Sequence, residues 1–403
     1  MKTLQKAKIL VSIFTLVSAT AFGAGFEVIE QGASNMGTAM AGTAANANDD
    51  ATAAFWNPST IAFMSLEEGE FRLDSAGSAV VPTLGINYEG GGRYLCDKMA
   101  GVPNFYAVYK INEDFGASLS VTAPFGLESR YEDNWPGNYQ GIHSFLFTVD
   151  VNPSISYKVT DWLSVNAGFS AQYAYCKLTQ MYAYGIPQMV DVRGKGWGFG
   201  ANLGFTVQYA PDGRFGFQWR SAVYQSLEGT LRVGNIPQGT VHAGVSMPDQ
   251  FTISIYQRLR GPFDRIAVMA DYEYTRWSCF RRLSISGLPS VEENWKDTSR
   301  VALGFHYYPT FDEDLTLRCG VAFDESPIVS PEFRTVRIPD SDRVWFSAGL
   351  GYKIGNISFD IAYSYIMTVG NSSINRYESN GPAVRGEYYG HIHVISGQVG
   401  IKF

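Results

Sequence analysis

Leu163-Ser-Val-Asn-Ala-Gly-Phe-Ser-Ala-Gln-Tyr-Ala-Tyr175 alternates residue by residue. Leu163, Val165, Ala167, Phe169, Ala171, Tyr173 and Tyr175 fall on one side of an extended chain. Ser164, Asn166, Gly168, Ser170 and Gln172 fall on the other. Val344 to Tyr352 and Ile357 to Tyr365 repeat the pattern. One face is apolar with aromatic ends, and the other is small or polar. That is how a strand reads when lipid lies on one side and a polar lumen on the other.

Working outward, the same period appears in fourteen segments, near 69–80, 102–111, 114–124, 145–159, 162–175, 197–210, 214–227, 248–260, 264–277, 299–309, 314–324, 342–353, 356–367 and 390–403. Their connections alternate in length. Six are short, among them Thr160-Asp161, the Pro211-Asp-Gly turn and Ile354-Gly355. Seven are long, spanning roughly 81–101, 125–144, 176–196, 228–247, 278–298, 325–341 and 368–389. Short periplasmic turns and long outer loops are the mark of an outer-membrane barrel with both ends in the periplasm. The fold class expected is all-β: a 14-stranded antiparallel transmembrane barrel.

Composition agrees. Of 403 residues 14% are aromatic and 42 are Gly, and the mean hydropathy is only −0.08. Lys2, Lys6 and Lys8, the apolar run Ile9 to Val17, and Ala21 with Gly23 read as an export signal over 1–23. Without its three lysines the formal net charge moves from −7 to −10, a poor balance for nucleic acid. No later stretch reaches ~18 apolar residues, so a membrane crossing must be a closed barrel. Cys96, Cys176, Cys279 and Cys319 allow either free thiols or one loop disulfide.

Residues 24–68 do not alternate. They are rich in Ala, Gly and Asn and carry Phe26, Met36, Met40, Phe55, Trp56, Ile61, Phe63 and Met64. Such side chains are costly in water, so the segment is expected as a plug with short helices inside a barrel formed by 69–403. Asn57-Pro58 reads as a rigid turn. Asp49 and Asp50 suit a helix cap or a pairing with lumen arginines.

Several blocks resemble the FadL/TodX family of outer-membrane transporters for long-chain fatty acids and aromatic hydrocarbons. They are Ala24-Gly-Phe, Asp49-Asp50, Asn57-Pro58-Ser59 (Ser59 where the family has Ala), Phe125-Gly-Leu127, Asn152-Pro-Ser-Ile155, Gly320 to Pro327 and Ile338 to Arg343. The resemblance spans nearly the whole mature chain. It implies a plug that acts as a hatch, capture of a hydrophobe between outer loops, an inner apolar pocket and an exit through a wall kink in strand three. Its basic ligand positions fall here at Gln180 and Val291, so carboxylate recognition would need Arg193, Lys195, Arg281 or Arg282, or the ligand is neutral.

Pro124 lacks an amide, Gly126 permits a bend, and Pro103 sits in the neighbouring strand, so the wall is expected to break there. Pro124 alternatively marks only the outer end of its strand. The expected groove holds Phe125, Leu127, Ile186 and Met189, while Tyr131 and Phe145 read as an interfacial girdle. Asn57-Pro58 is expected to prop the hatch near the kink. Expected partners are a hydrophobic small molecule, outer-membrane lipid and lipopolysaccharide, and the barrel assembly machinery through Phe403, with the chain a monomer. Five histidines outside any signature argue against an enzyme, and no cofactor or metal is expected. A general porin, which needs no plug, is the remaining alternative.

Overall fold

A computed structural model describes residues 25–182 and 187–403; the expected signal segment 1–23 lies outside them. The wall strands are β1 (Phe71–Tyr88), β2 (Ala100–Lys110), β3 in two pieces (Phe115–Thr122 and Gly126–Arg130), β4 (His143–Thr160), β5 (Leu163–Tyr182) and β6 (Gln188–Ala210). β7 (Gly213–Arg220 and Val223–Val233) and β8 (Ile236–Met247 and Gln250–Arg258) each have an interruption. β9 (Ile266–Thr275), β10 (Thr298–Tyr307), β11 (Leu315–Asp324), β12 (Asp342–Ile354), β13 (Ile357–Val369) and β14 (Val384–Lys402) complete the ring. Each pairs antiparallel with its chain neighbour, and β14 returns to β1 from Arg72↔Lys402 to Tyr88↔Gly386. Closure removes the edge whose unpaired amides lipid could not satisfy.

Burial is inverted relative to a water-soluble core. Phe169 is 52% exposed and Phe359 43%, whereas Ser164, Asn166, Ser170 and Gln172 are buried. The exposed apolar side chains face lipid, and the polar ones turn inward, where Asn166 accepts from Ser59 of the N-terminal segment and Gln172 accepts from Gln225 of the wall. Within the wall, residues 25–47 and 50–61 are almost all buried. They form α1 (Ala33–Met36), α2 (Ala53–Trp56) and a 3₁₀ segment, Pro58–Phe63. Gly37 packs so close to β12 that an added Cβ would lie 3.0 Å from the Gly349 Cα.

The fourteen strands lie where the alternation predicts them, but several run further on the outer side. The stretches 176–196 and 228–247, expected as loops, are largely continuations of β5–β6 and of the β7–β8 hairpin. Above the membrane both faces of a strand meet water or other loops, so the apolar–polar period fades while backbone pairing goes on. All four cysteines are free.

A cation at mid-height on the lipid face is expensive, so Phe169→Arg should lower the free energy of folding into vesicles by about 2–4 kcal/mol. Val159→Arg near the periplasmic end should cost about 0–1 kcal/mol. Urea titration of tryptophan fluorescence in vesicles measures both, and equal costs would contradict the assigned belt.

Candidate functional site

The hatch enters the lumen as an extended strand, and its backbone is held by a defect in the wall. The β3–β4 ladder stops at Thr122↔Asp150 and resumes at Gly126↔Phe147, so three residues oppose two. Pro124 has no amide to give, and the extra residue makes a bulge. Residues 123–127 are all buried instead of alternating, which places this segment inside the wall line. The groups freed from the ladder are reused. Phe125 N–H donates to Thr148 Oγ1 at 3.0 Å. Gly126 N–H donates to the Phe26 carbonyl at 2.9 Å, and Val28 N–H donates to the Pro124 carbonyl at 2.9 Å.

On the other side, β2–β3 pairing ends at Phe105↔Val121. Above it, among the described residues, β2 with Pro103 pairs in the sheet only with β1, and the upper piece of β3 only with β4. The hatch stoppers this break. Asn104 Nδ2 donates to the Glu30 carbonyl at 3.2 Å, Gln31 Nε2 donates to the Ala123 carbonyl at 3.3 Å, and Tyr106 donates its hydroxyl to the Gln31 carbonyl.

Lower in the lumen the hatch is anchored by side chains. Asp50 accepts from Ser34 Oγ at 2.5 Å, Thr52 N–H at 3.0 Å and Gln398 Nε2 at 3.1 Å. It thus holds the turn that leads into α2, through Thr52, and ties that turn to β14. Asp49 accepts from Ser65 N–H at 3.1 Å. Asn57 Nδ2 donates to the Ala44 carbonyl at 2.7 Å and to Thr206 Oγ1 at 3.1 Å, and its Oδ1 accepts from Ser59 Oγ at 2.6 Å. Pro58 opens the following 3₁₀ segment.

Two adjoining cavities lie above. The outer one, about 270 Å³, is lined by Leu178, Val190, Leu283, Ile285, Leu288, Phe333 and others, with Gln180 and Val291 in its wall. The inner one, about 80 Å³, is lined by Leu127, Leu146, Leu227, Val241, Val245 and Ile338, with Phe26 of the hatch among its walls. Phe26 packs in an aromatic cluster, 4.6 Å from Trp277 and 5.6 Å from Trp295 between ring centres. Arg337 borders both cavities. Its Nη1 donates to Ser144 Oγ at 3.0 Å and its Nη2 to Gln180 Oε1. Arg376 and Glu378 share the outer cavity, and Glu293 the inner. Burial pushes the Glu293 carboxyl up to about 8, although Arg376 pulls it down. Burial also lowers the Arg337 guanidinium, against the pull of Glu378 and Glu293.

A family model described as outer membrane protein transport protein (OMPP1/FadL/TodX) matches residues 14–403. The chain belongs to this family. It is 31% identical over 416 aligned positions to the long-chain fatty acid transport protein of Escherichia coli O6:H1, covering 91% of this chain and 92% of that one. A FadL homologue from Pseudomonas aeruginosa superposes with a TM-score of 0.83 at 21% identity, over 94% of this chain and 99% of the other. The Ralstonia pickettii toluene transporter TbuX gives 0.67 at 22%, over 91% and 97%. The protein is an outer-membrane barrel of the FadL/TodX type.

Against that family frame the expected residues divide. Gln180, Val291 and Leu127 reach the cavities, and Phe125 packs on Phe26, ring centres 6.2 Å apart. Ile186 lies outside the described residues. Met189 lines neither cavity, because its neighbour Val190 takes the inward face. Arg193 borders the inner cavity, but its guanidinium is exposed and held by Asp191 at 2.9 Å. Lys195, Arg281 and Arg282 are exposed and line neither cavity. Tyr131 is no girdle residue: it is buried and stacked on Trp135 at 4.0 Å. Among the described residues Asn57-Pro58 makes no hydrogen bond to the kink. Phe26, Val28 and Gln31 do, while Asn57 binds β6. Nor do the Asp49 and Asp50 carboxylates pair with arginine; the ion pair nearby is Arg72–Asp74 at 2.8 Å.

Sequence reasoning missed Arg337, Arg376, Glu293 and the cluster around Phe26. Arg337 stands one residue before the Ile338 block, and only the fold brings its loop over Gln180.

Asn57→Ala removes two donors and an acceptor from buried partners, a cost of about 1–3 kcal/mol. Hydrogen exchange of the amides at 44–63 should accelerate while wall amides keep their protection. Unchanged exchange there would contradict the anchoring role of Asn57.

Proposed function

We propose that this chain carries long-chain fatty acids or related hydrophobes inward across the outer membrane. The observation that carries the reading is Arg337, a buried guanidinium bordering both an outer cavity of mixed lining and a mostly apolar inner one. A hydrophobe with one carboxylate matches that chemistry: apolar surface for the tail and, for the head, the Arg337 cation where the two cavities meet. The acyl chain is caught in the outer cavity and moves to the inner one. There it meets Phe26, whose strand is hydrogen-bonded to the kink. Displacing that strand frees the break between β2 and β3, bounded by Pro103, Pro124 and Gly126, as a sideways exit. The relative from Escherichia coli, by its name a long-chain fatty acid transport protein, supports the substrate class.

A second reading is a neutral hydrocarbon. It is favoured by Gln180 already occupying one Arg337 nitrogen, and by Arg376 pairing with Glu378 at 3.4 Å.

Binding and uptake of labelled palmitate beside labelled toluene separate the two. Arg337→Gln should weaken palmitate binding by about 1.5–3 kcal/mol, roughly ten- to hundred-fold, and leave toluene unchanged. Equal loss for both ligands would remove the carboxylate reading. Replacing Pro124 with Ala and Gly126 with Val should reduce uptake more than binding; full uptake in that variant contradicts the sideways exit.

The pH dependence follows from Glu293. Below about pH 8 its carboxyl keeps its proton and does not compete with an incoming carboxylate for Arg337 and Arg376. Above about 8 the Glu293 carboxylate competes for them. Palmitate affinity should therefore fall as pH rises through that value, and Glu293→Gln should flatten the profile. A profile identical in the two proteins would contradict this assignment.

A further inference from the structure

The outer face of the wall across β5 and β6 carries a charge cluster that transport does not use. The segment from Leu163 to Tyr173, climbing roughly 2.5 Å per residue in a strand tilted ~40°, rises about 25 Å, the height of a lipid-facing band. Tyr173 pairs across the strands with Trp197, whose rings stand 5.4 Å apart at centre. These aromatics end the band.

Directly above them the same outward face changes character. Tyr175 pairs with Lys195, and Lys177 pairs with Arg193. Three cations therefore sit on adjacent strands, roughly 5–10 Å above the top of the apolar band by the same rise. Arg193 is held by Asp191 at 2.9 Å, and Glu228 is the cross-strand neighbour of Lys195. Lys177 and Lys195 make no ion pair among the described residues. Ammonium groups at this height, beside aromatic rings and above oil, lie in the headgroup layer of the outer leaflet. Anionic groups in that layer are phosphates carried on lipid.

We propose that Lys177, Arg193 and Lys195 form a binding site for the phosphate groups of a phosphorylated outer-leaflet glycolipid, with its acyl chains against Tyr173, Tyr175 and Trp197. Two unpaired ammonium groups supply the charge that recognises phosphate. The aromatic row supplies the apolar footing that free phosphate would not use. Arg193 borders the inner cavity, but its guanidinium is exposed and held by Asp191, so the charged groups of the site stand on the outer face of the wall rather than in the transport route.

The test uses the full barrel, delipidated in detergent, and native mass spectrometry. The probes are bis-phosphorylated lipid A, the same lipid after enzymatic removal of its phosphates, and inorganic phosphate. The intact protein should hold bis-phosphorylated lipid A at least ten-fold more tightly than either other probe. The Lys177→Gln, Lys195→Gln double variant should lose at least ten-fold of that affinity. The Lys177→Arg, Lys195→Arg variant should keep it, and so should Arg260→Gln, Arg265→Gln at the periplasmic end. Barrel integrity of each variant is read from its heat-modifiable gel mobility. Equal binding of dephosphorylated lipid, comparable binding of inorganic phosphate, full affinity in the Gln variant, or equal loss in the Arg or periplasmic variants would each overturn the proposal.

Discussion

Backbone amides cannot be left unpaired in hydrocarbon, and the rest of this structure follows from that rule. A sheet in lipid must close, and closure here is made by β14 returning to β1 along the full height of the wall. Once closed, the ladder tolerates a defect only where something else supplies the missing partners. The break at Pro124 is such a place. Its stray donors and acceptors are taken by Thr148 on one side and by Phe26 and Val28 on the other. Wall and hatch are therefore not two independent parts, because the first residues of the hatch finish the pairing that β3 leaves open.

The same economy shapes the lumen. Inward-facing Ser, Asn and Gln side chains would suit a water channel, yet here several, Ser254, Asn166 and Gln398 among them, bind the hatch. Asn57, Asp50 and Gln398 make hydrogen bonds between the two. Above the hatch the chemistry turns apolar, and Arg337 and its acidic neighbours are the exception. That vertical change, from polar anchoring below to an oily chamber above, is what distinguishes this interior from a simple aqueous pore.

The wall was legible in the sequence because lipid on one face and protein on the other impose a period of two, as Leu163 to Tyr175 displays. The period weakens where lipid ends, and so the outer continuations of β5 to β8 read as loops. Pro124 and Gly126 were legible for a local reason: a missing amide and a flexible hinge are properties of single residues. The burial of the hatch was legible from its surplus of apolar side chains. Its docking was not, since Asn57 reaches β6 across a large gap in sequence and the kink is met by Phe26 instead. Arg337 was hidden for a similar cause. Nothing near it in the chain marks it, and its placement opposite Gln180 comes from how the outer loops fold over one another.

The seam between β14 and β1 joins the two most distant parts of the wall, so it can be zipped only after every other strand has been made. The hatch, by contrast, precedes every wall strand in the chain and lies within the closed ring. The close approach of Gly37 to Gly349 shows how little clearance it has. A side chain added at Gly349 would meet the Gly37 backbone at once, so what it would disturb is the seating of filling within casing rather than the chemistry of the chamber above.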